Sequence, residues 1–177
     1  MKHGSRRVPP KKETASLLGV CYDVVEVLVA SLTFLFRVVG VEGDSMMDTL
    51  YGGDRLILCP ALSSPDRGDI VVINRYTDEP LVKRVIGVAG DTLEIDEELH
   101  RVRLNGELLD EPYVQYPTPA YDMTGEVAVP EGYVFVMGDH RNDSHDSRAA
   151  DIGLVPVDDI VGWAAFRIWP PQRIGIL

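Results

Sequence analysis

The sequence predicts a mainly β domain behind one N-terminal membrane-spanning helix, and three observations carry that prediction. Past residue 41, short β-branched runs alternate with clusters of Gly, Pro, Asn and Asp, and no apolar repeat of helical period lasts beyond a couple of turns. Val24 to Val41 is the chain's one long apolar segment. Charge changes sign across it: residues 1–12 hold Lys2, Arg6, Arg7, Lys11 and Lys12 with no acid, whereas residues 38–177 carry 11 basic and 25 acidic side chains.

The apolar segment of 18 residues would measure about 27 Å as a helix, against roughly 30 Å for a bilayer core. Glu26 and Arg37 fall near its ends, where a charge snorkels, and Asp23 falls at the headgroup level. A buried helix of a soluble protein is the alternative, but nothing downstream offers helices for it to pack against. A cleaved leader is disfavoured because removal near Ala30 would leave Ser45 without an anchor and no small-x-small site there is convincing. Five cations before the span keep the N-terminus inside. The expected organisation is a basic cytoplasmic N-terminus over 1–23, a transmembrane helix over 24–41 and an extracytoplasmic β domain over 42–177. That acidic body repels nucleic acid, and the apolar span makes membrane lipid an expected partner.

The strands expected in order are Arg55 to Leu58, Ile70 to Asn74, Leu81 to Val88, Thr92 to Ile95, Arg101 to Leu104, Val127 to Val129, Tyr133 to Met137 and Ile160 to Ile168. Pro65 to Asp69, Asn105-Gly106 and Pro130 to Gly132 punctuate them, and Asn105-Gly106 is a strong hairpin signal. An irregular excursion is expected at about 105–130, centred on Asp110 to Gly125 with its prolines and tyrosines. Alternate spacing at 164, 166 and 168 places those residues on one face, a core role; Trp163 and Trp169 could instead meet the headgroup level of a membrane. Cys21 and Cys59 show no metal-binding spacing and no reason to pair.

Lysine usage points to chemistry. From Arg37 onward there are eleven arginines and one lysine, Lys83, within the apolar run Leu81-Val82-Lys83-Arg84-Val85. A buried lysine loses its proton more readily and can become a base, as a guanidinium cannot. On this run alone a surface lysine at a strand end explains the residue equally well; a serine nucleophile decides between them. Ser45 follows the turn Gly43-Asp44, where glycine allows backbone N–H groups to gather as an oxyanion site.

At this point the chain resembles bacterial type I signal peptidases, Ser/Lys serine proteases, in a short Gram-positive-like form. Val41 to Leu50 is similar to the family's serine box, Lys83 to Asp91 to its lysine box, and Gly138-Asp139-His140-Arg141-Asn142-Asp143-Ser144-His145-Asp146-Ser147-Arg148 to its Gly-Asp-Asn-Arg-x-x-Ser-x-Asp-Ser-Arg box. The resemblance runs from about residue 20 to the C-terminus. It implies coiled antiparallel β-sheets of the signal-peptidase and self-cleaving-repressor type, and removal of signal peptides from secretory preproteins by a Ser45/Lys83 dyad without cofactor or metal. It further implies that Ser144 aims the Lys83 amine, that Asp146 and Arg148 form an ion pair beneath it, and that Asp139 orients Arg148 or caps the turn. Gly43 and Ser45 are expected to supply the oxyanion N–H groups, and Met46, Leu81 and Val82 to line shallow pockets for small substrate residues.

Departures from the family's pattern are Asp48 and Ala89 for proline, His140 for asparagine and Trp163 for arginine. Two other enzymatic readings use the histidines: a Ser45–His145–Asp139 triad, and a metal site of Asp139, His140, Asp143 and His145. The first leaves Lys83 unexplained; the second relies on clustered polar residues of one loop, which are usually solvated. A self-cleaving repressor would carry a basic DNA-binding domain in place of the apolar span. A non-catalytic membrane-anchored binding module would leave three matching boxes without a purpose.

Overall fold

Strand pairing dominates the second of two units into which the chain divides, Met1–Leu35 and Phe36–Leu177. The computed structural model describes residues 19–27, 36–60, 64–74 and 80–177. In the first unit residues 19–27 are helical. Among the described residues no helix is long and apolar enough to cross a membrane. Residues 28–35 of the expected span lie outside the described residues. Its far end is corrected, because Arg37–Gly40 form strand β1, with Val38 opposite Ile57 and Val39 opposite Leu56. Two valines after an apolar run suit a strand as well as a helix, and hydrophobicity alone does not mark where one gives way to the other.

The second unit continues with β2 (Arg55–Pro60), β3 (Ile70–Ile73), β4 (Leu81–Gly87), β5 (Thr92–Asp96), β6 (Arg101–Leu104), β7 (Glu107–Leu108), β8 (Val127–Ala128), β9 (Tyr133–Met137), β10 (Val155–Pro156), β11 (Ile160–Trp169) and β12 (Gly175–Ile176). They form an eight-stranded sheet in the order β1-β2-β11-β3-β4-β9-β10, with β12 added beside β11, and a four-stranded sheet in the order β7-β6-β5-β8. Every pairing is antiparallel. Eight of these strands stand where the sequence places them, within two residues at either end. Asn105-Gly106 makes the β6–β7 hairpin with both φ angles positive, at 53° and 83°, the backbone that a two-residue turn of matching twist needs.

β3 is buried along its whole length. Its alternate side chains serve two cores: Ile70 and Val72 join Val41, Met46, Leu50, Leu56 and Leu58, whereas Val71 and Ile73 join Val85, Val134, Val136 and Ile160. A third core, built on Leu93, Ile95, Val102, Phe135 and Met137, packs the end of the large sheet against the small one. Gly87 permits that approach, since a Cβ there would lie 2.6 Å from a Leu93 methyl.

β11 departs from the expected alternation. Ala164 is buried as predicted, but a register shift between Ala164 and Phe166 turns Phe166 outward to 46% exposure. Trp163 packs against the Val71 core, while Trp169 is exposed.

Candidate active site

Ser45 and Lys83 meet although 38 residues separate them: Lys83 Nζ lies 2.7 Å from Ser45 Oγ in a hydrogen bond. The loop between β1 and β2 presents the serine. Val41 and Asp54 close its base, with Val41 N–H donating to Asp54 O at 2.8 Å and Gly53 N–H to Val41 O at 2.9 Å. Gly43 takes φ +73°, and the chain then turns tightly, Met47 N–H reaching Asp44 O at 3.0 Å and Leu50 N–H reaching Met46 O at 2.8 Å. Met46 and Leu50 are buried below, so the loop is anchored by the core it caps.

Lys83 sits in β4, opposite Val71 of β3, and is 2% exposed. Burial pushes its ammonium down to about 8; the Arg148 guanidinium pushes the same way, while the Asp146 and Asp139 carboxylates oppose it. Near neutral pH the amine therefore has an accessible uncharged form. An ammonium donates its N–H to Ser45 Oγ; a neutral amine instead accepts the hydroxyl proton along the same line, the geometry of a nucleophile and its base.

Beneath the pair lies a buried polar layer built by residues 138–148. Asp146, fully buried, accepts from Arg148 Nε at 2.9 Å and Nη2 at 2.8 Å, from Gly138 N–H at 3.0 Å and from Ser144 Oγ at 2.7 Å. Burial alone would raise its pKa, but the Arg148 contacts and the two other donors hold it below the usual carboxylate value. The Ser144 hydroxyl, its proton committed to Asp146, keeps lone pairs for another donor. Gly138 is where this layer and the serine loop touch: a Cβ there would lie 2.3 Å from both Ser144 Oγ and Ser45 O.

Asp139 corrects an expectation. It pairs with Arg84, accepting from Nε at 2.8 Å and Nη2 at 2.7 Å, and takes the Thr49 hydroxyl at 2.5 Å. Arg148, which Asp139 was expected to orient, is instead held by Asp146, the backbone oxygen of Arg141 at 2.7 Å and that of Pro119 at 3.0 Å. Arg84, Thr49 and Arg141 are site residues that sequence reasoning missed. A second charge beside Lys83 in an apolar run was the signal for Arg84. Arg141, fully buried, pairs with Glu111 and donates to Gly138 O at 3.1 Å. The excursion thereby grips the loop, with Tyr113 stacked on Arg84 and Tyr121 on Arg148.

The histidine triad is not assembled. His145 is exposed and bonds Asp151 at 2.9 Å, and Asp139 is occupied by Arg84. The pocket residues also divide. Val82 lines an apolar cleft of about 240 Å³ with Val39, Gly40, Glu42, Val72 and Pro80. Met46 is buried under the serine loop, and Leu81 packs against the Val71 core, so neither lines this cleft. Adjacent strand residues face opposite sides, and Leu81 and Val82 follow that rule.

Comparison with known proteins gives a consistent picture. A family model described as signal peptidase, peptidase S26, matches residues 14–169. Signal peptidase I of Leptolyngbya laminosa is 35% identical, over 95% of this chain and 87% of its own length. Signal peptidase I T of Bacillus subtilis is 38% identical, over 83% of this chain and 82% of its own. The crystal structure of a signal peptidase I from Enterococcus faecalis is 28% identical, covering 57% of this chain and 97% of that one, with a TM-score of 0.47.

Proposed function

This chain belongs to the signal peptidase family, peptidase S26, and we propose that Ser45 and Lys83 are the dyad with which it removes signal peptides from secretory preproteins. The observation that carries the assignment of residues is the 2.7 Å contact between a buried lysine and the serine of an exposed turn. Neutral Lys83 takes the Ser45 proton as Oγ attacks the scissile carbonyl, and the Ser45 N–H, with N–H groups near Gly43, stabilises the oxyanion. The lysine ammonium then protonates the leaving amine, which frees the mature protein. Water, deprotonated by the same amine, hydrolyses the acyl-enzyme and releases the signal peptide. Ser144, fixed by Asp146, accepts an N–H of Lys83 and aims its lone pair.

Two features support the substrate class. The cleft beside Val82 has room for small side chains, and the exposed rim of β1 offers a track for an extended peptide. The wild-type protein in detergent should cut a preprotein at pH 8, and Ser45→Ala should not. Activity should climb with pH through an apparent pKa of about 8, since only the uncharged amine is a base and burial is what lowers it. At pH 7 roughly a tenth of the enzyme would be active on that value. A limb centred near 6.5 that vanishes in His145→Ala would overturn the lysine assignment.

The membrane reading joins this. The proposed anchor lies N-terminal to β1, with the basic N-terminus in the cytoplasm and the β unit outside. Phe36, Val38, Phe166, Trp169, Ile174 and Ile176 are all exposed, on or beside β1, β11 and β12 of the large sheet, with β2 between β1 and β11 and Ile57 between Val38 and Phe166. An apolar rim of this kind suits the interface where a signal peptide emerges from lipid. Replacing Phe166 and Trp169 with Ser should lower sedimentation of residues 36–177 with zwitterionic vesicles several-fold, with cleavage of a soluble peptide retained. Equal vesicle binding by the variant would remove these residues from the interface.

A further inference from the structure

His140 stands where the family has asparagine, and its contacts converge on the nucleophile's own backbone. Its N–H donates to Ser45 O at 3.1 Å, and ring atom Nδ1 lies 3.1 Å from Asp44 O. A carbonyl oxygen only accepts, so that contact requires the ring to carry its proton on Nδ1. The ring is held by Tyr116, their centroids 4.5 Å apart and their planes tilted by 37°. The neighbouring Asp139 ties the same loop through Thr49 at 2.5 Å.

We propose that His140 is a positioning residue for the oxyanion site: by donating from Nδ1 to Asp44 O, which also accepts from Met47 N–H at 3.0 Å, it completes the hold on the Asp44–Ser45 peptide and polarises it, so that its N–H faces the developing oxyanion. This rests on the dyad reading above. The Asp44 carbonyl and the Ser45 N–H belong to one planar unit and point in opposite directions, so pinning the oxygen sets where the N–H aims. Polarising the carbonyl also strengthens that N–H as a donor, as in any chain of hydrogen bonds. The oxyanion forms only in the transition state, so the contribution falls on kcat and leaves substrate affinity in place. The asparagine of the family carries an amide N–H at the corresponding position of its side chain and can donate the same bond.

The test compares full-length wild type, Ser45→Ala, His140→Leu and His140→Asn on a preprotein, together with a peptide aldehyde that forms a tetrahedral adduct on serine. His140→Leu should lose about 10- to 100-fold in kcat, less than direct loss of an oxyanion donor, with KM within about twofold. Aldehyde affinity should fall in parallel, and His140→Asn should recover at least a third of wild-type kcat. Nitrogen NMR of labelled wild-type protein should show neutral His140 protonated on Nδ1. Wild-type kcat and aldehyde affinity in His140→Leu, or a ring protonated on Nε2 alone, would overturn the proposal, and the NMR result holds even if the leucine variant fails to fold. An active Ser45→Ala would instead overturn the dyad on which it rests.

Discussion

Lys83→Arg should be as inactive as Ser45→Ala, with preprotein cleavage down by at least about 10³-fold and the fold retained. The substitution keeps a cationic head on a long aliphatic stem, and it removes the ability to release a proton at working pH. Lys83 is pushed down to about 8 by burial; a guanidinium in the same place stays charged and can only donate to Ser45 Oγ. The double variant Ser45→Ala/Lys83→Arg should be no worse than either single one, because the two side chains act as a unit. Single-turnover cleavage, with circular dichroism to verify folding, makes the measurement. Recovery of a tenth of wild-type activity in Lys83→Arg would end the general-base assignment.

What could be read before any coordinates follows a physical division. Lys83 stood out because one amine in a chain of arginines, inside an apolar run, contradicts the preference of its surroundings. β6 and β9 were legible to the residue because a Gly-containing turn adjoins each, Asn105-Gly106 after an alternating Arg-Val-Arg-Leu and Pro130 to Gly132 before a continuous apolar run. β1 was hidden, since Val38 and Val39 prolong an apolar run whose conformation depends on pairing with β2, a long-range event. The outward turn of Phe166 was equally hidden, because a bulge follows from two partner strands and not from the strand's own residues.

The partners of Asp139 show the same limit at the site. Arg148 is nine residues away and was the local choice, whereas the actual partner, Arg84, is 55 residues distant and adjacent only because β4 and β9 pair. Leu81 and Val82 are a different case. Their opposed facing follows from strand alternation, which is legible in the sequence without any long-range contact.

Asp146→Ala should destabilise the protein by about 3–5 kcal/mol, because it leaves Arg148, 1% exposed, with carbonyl partners and no counter-charge. Against a total stability of roughly 5–15 kcal/mol that loss is large, and it should appear as a marked fall in denaturation midpoint. Activity should fall too, for a separate reason: Ser144 loses the acceptor that fixes its hydroxyl. The two effects can be parted. Asp146→Leu with Arg148→Met removes both charges and fills similar volume, which should restore much of the stability, since a buried pair contributes little over a well-packed apolar substitute. Their effects on Lys83 are opposed as well, because Asp146 raises its pKa and Arg148 lowers it. Ser144 and the Gly138 N–H nevertheless stay without their acceptor, so the double variant should regain part of the lost midpoint and remain at least about tenfold slow. A double variant that regained both stability and full turnover would show that the ion pair supports the loop alone and that Ser144 needs no aiming.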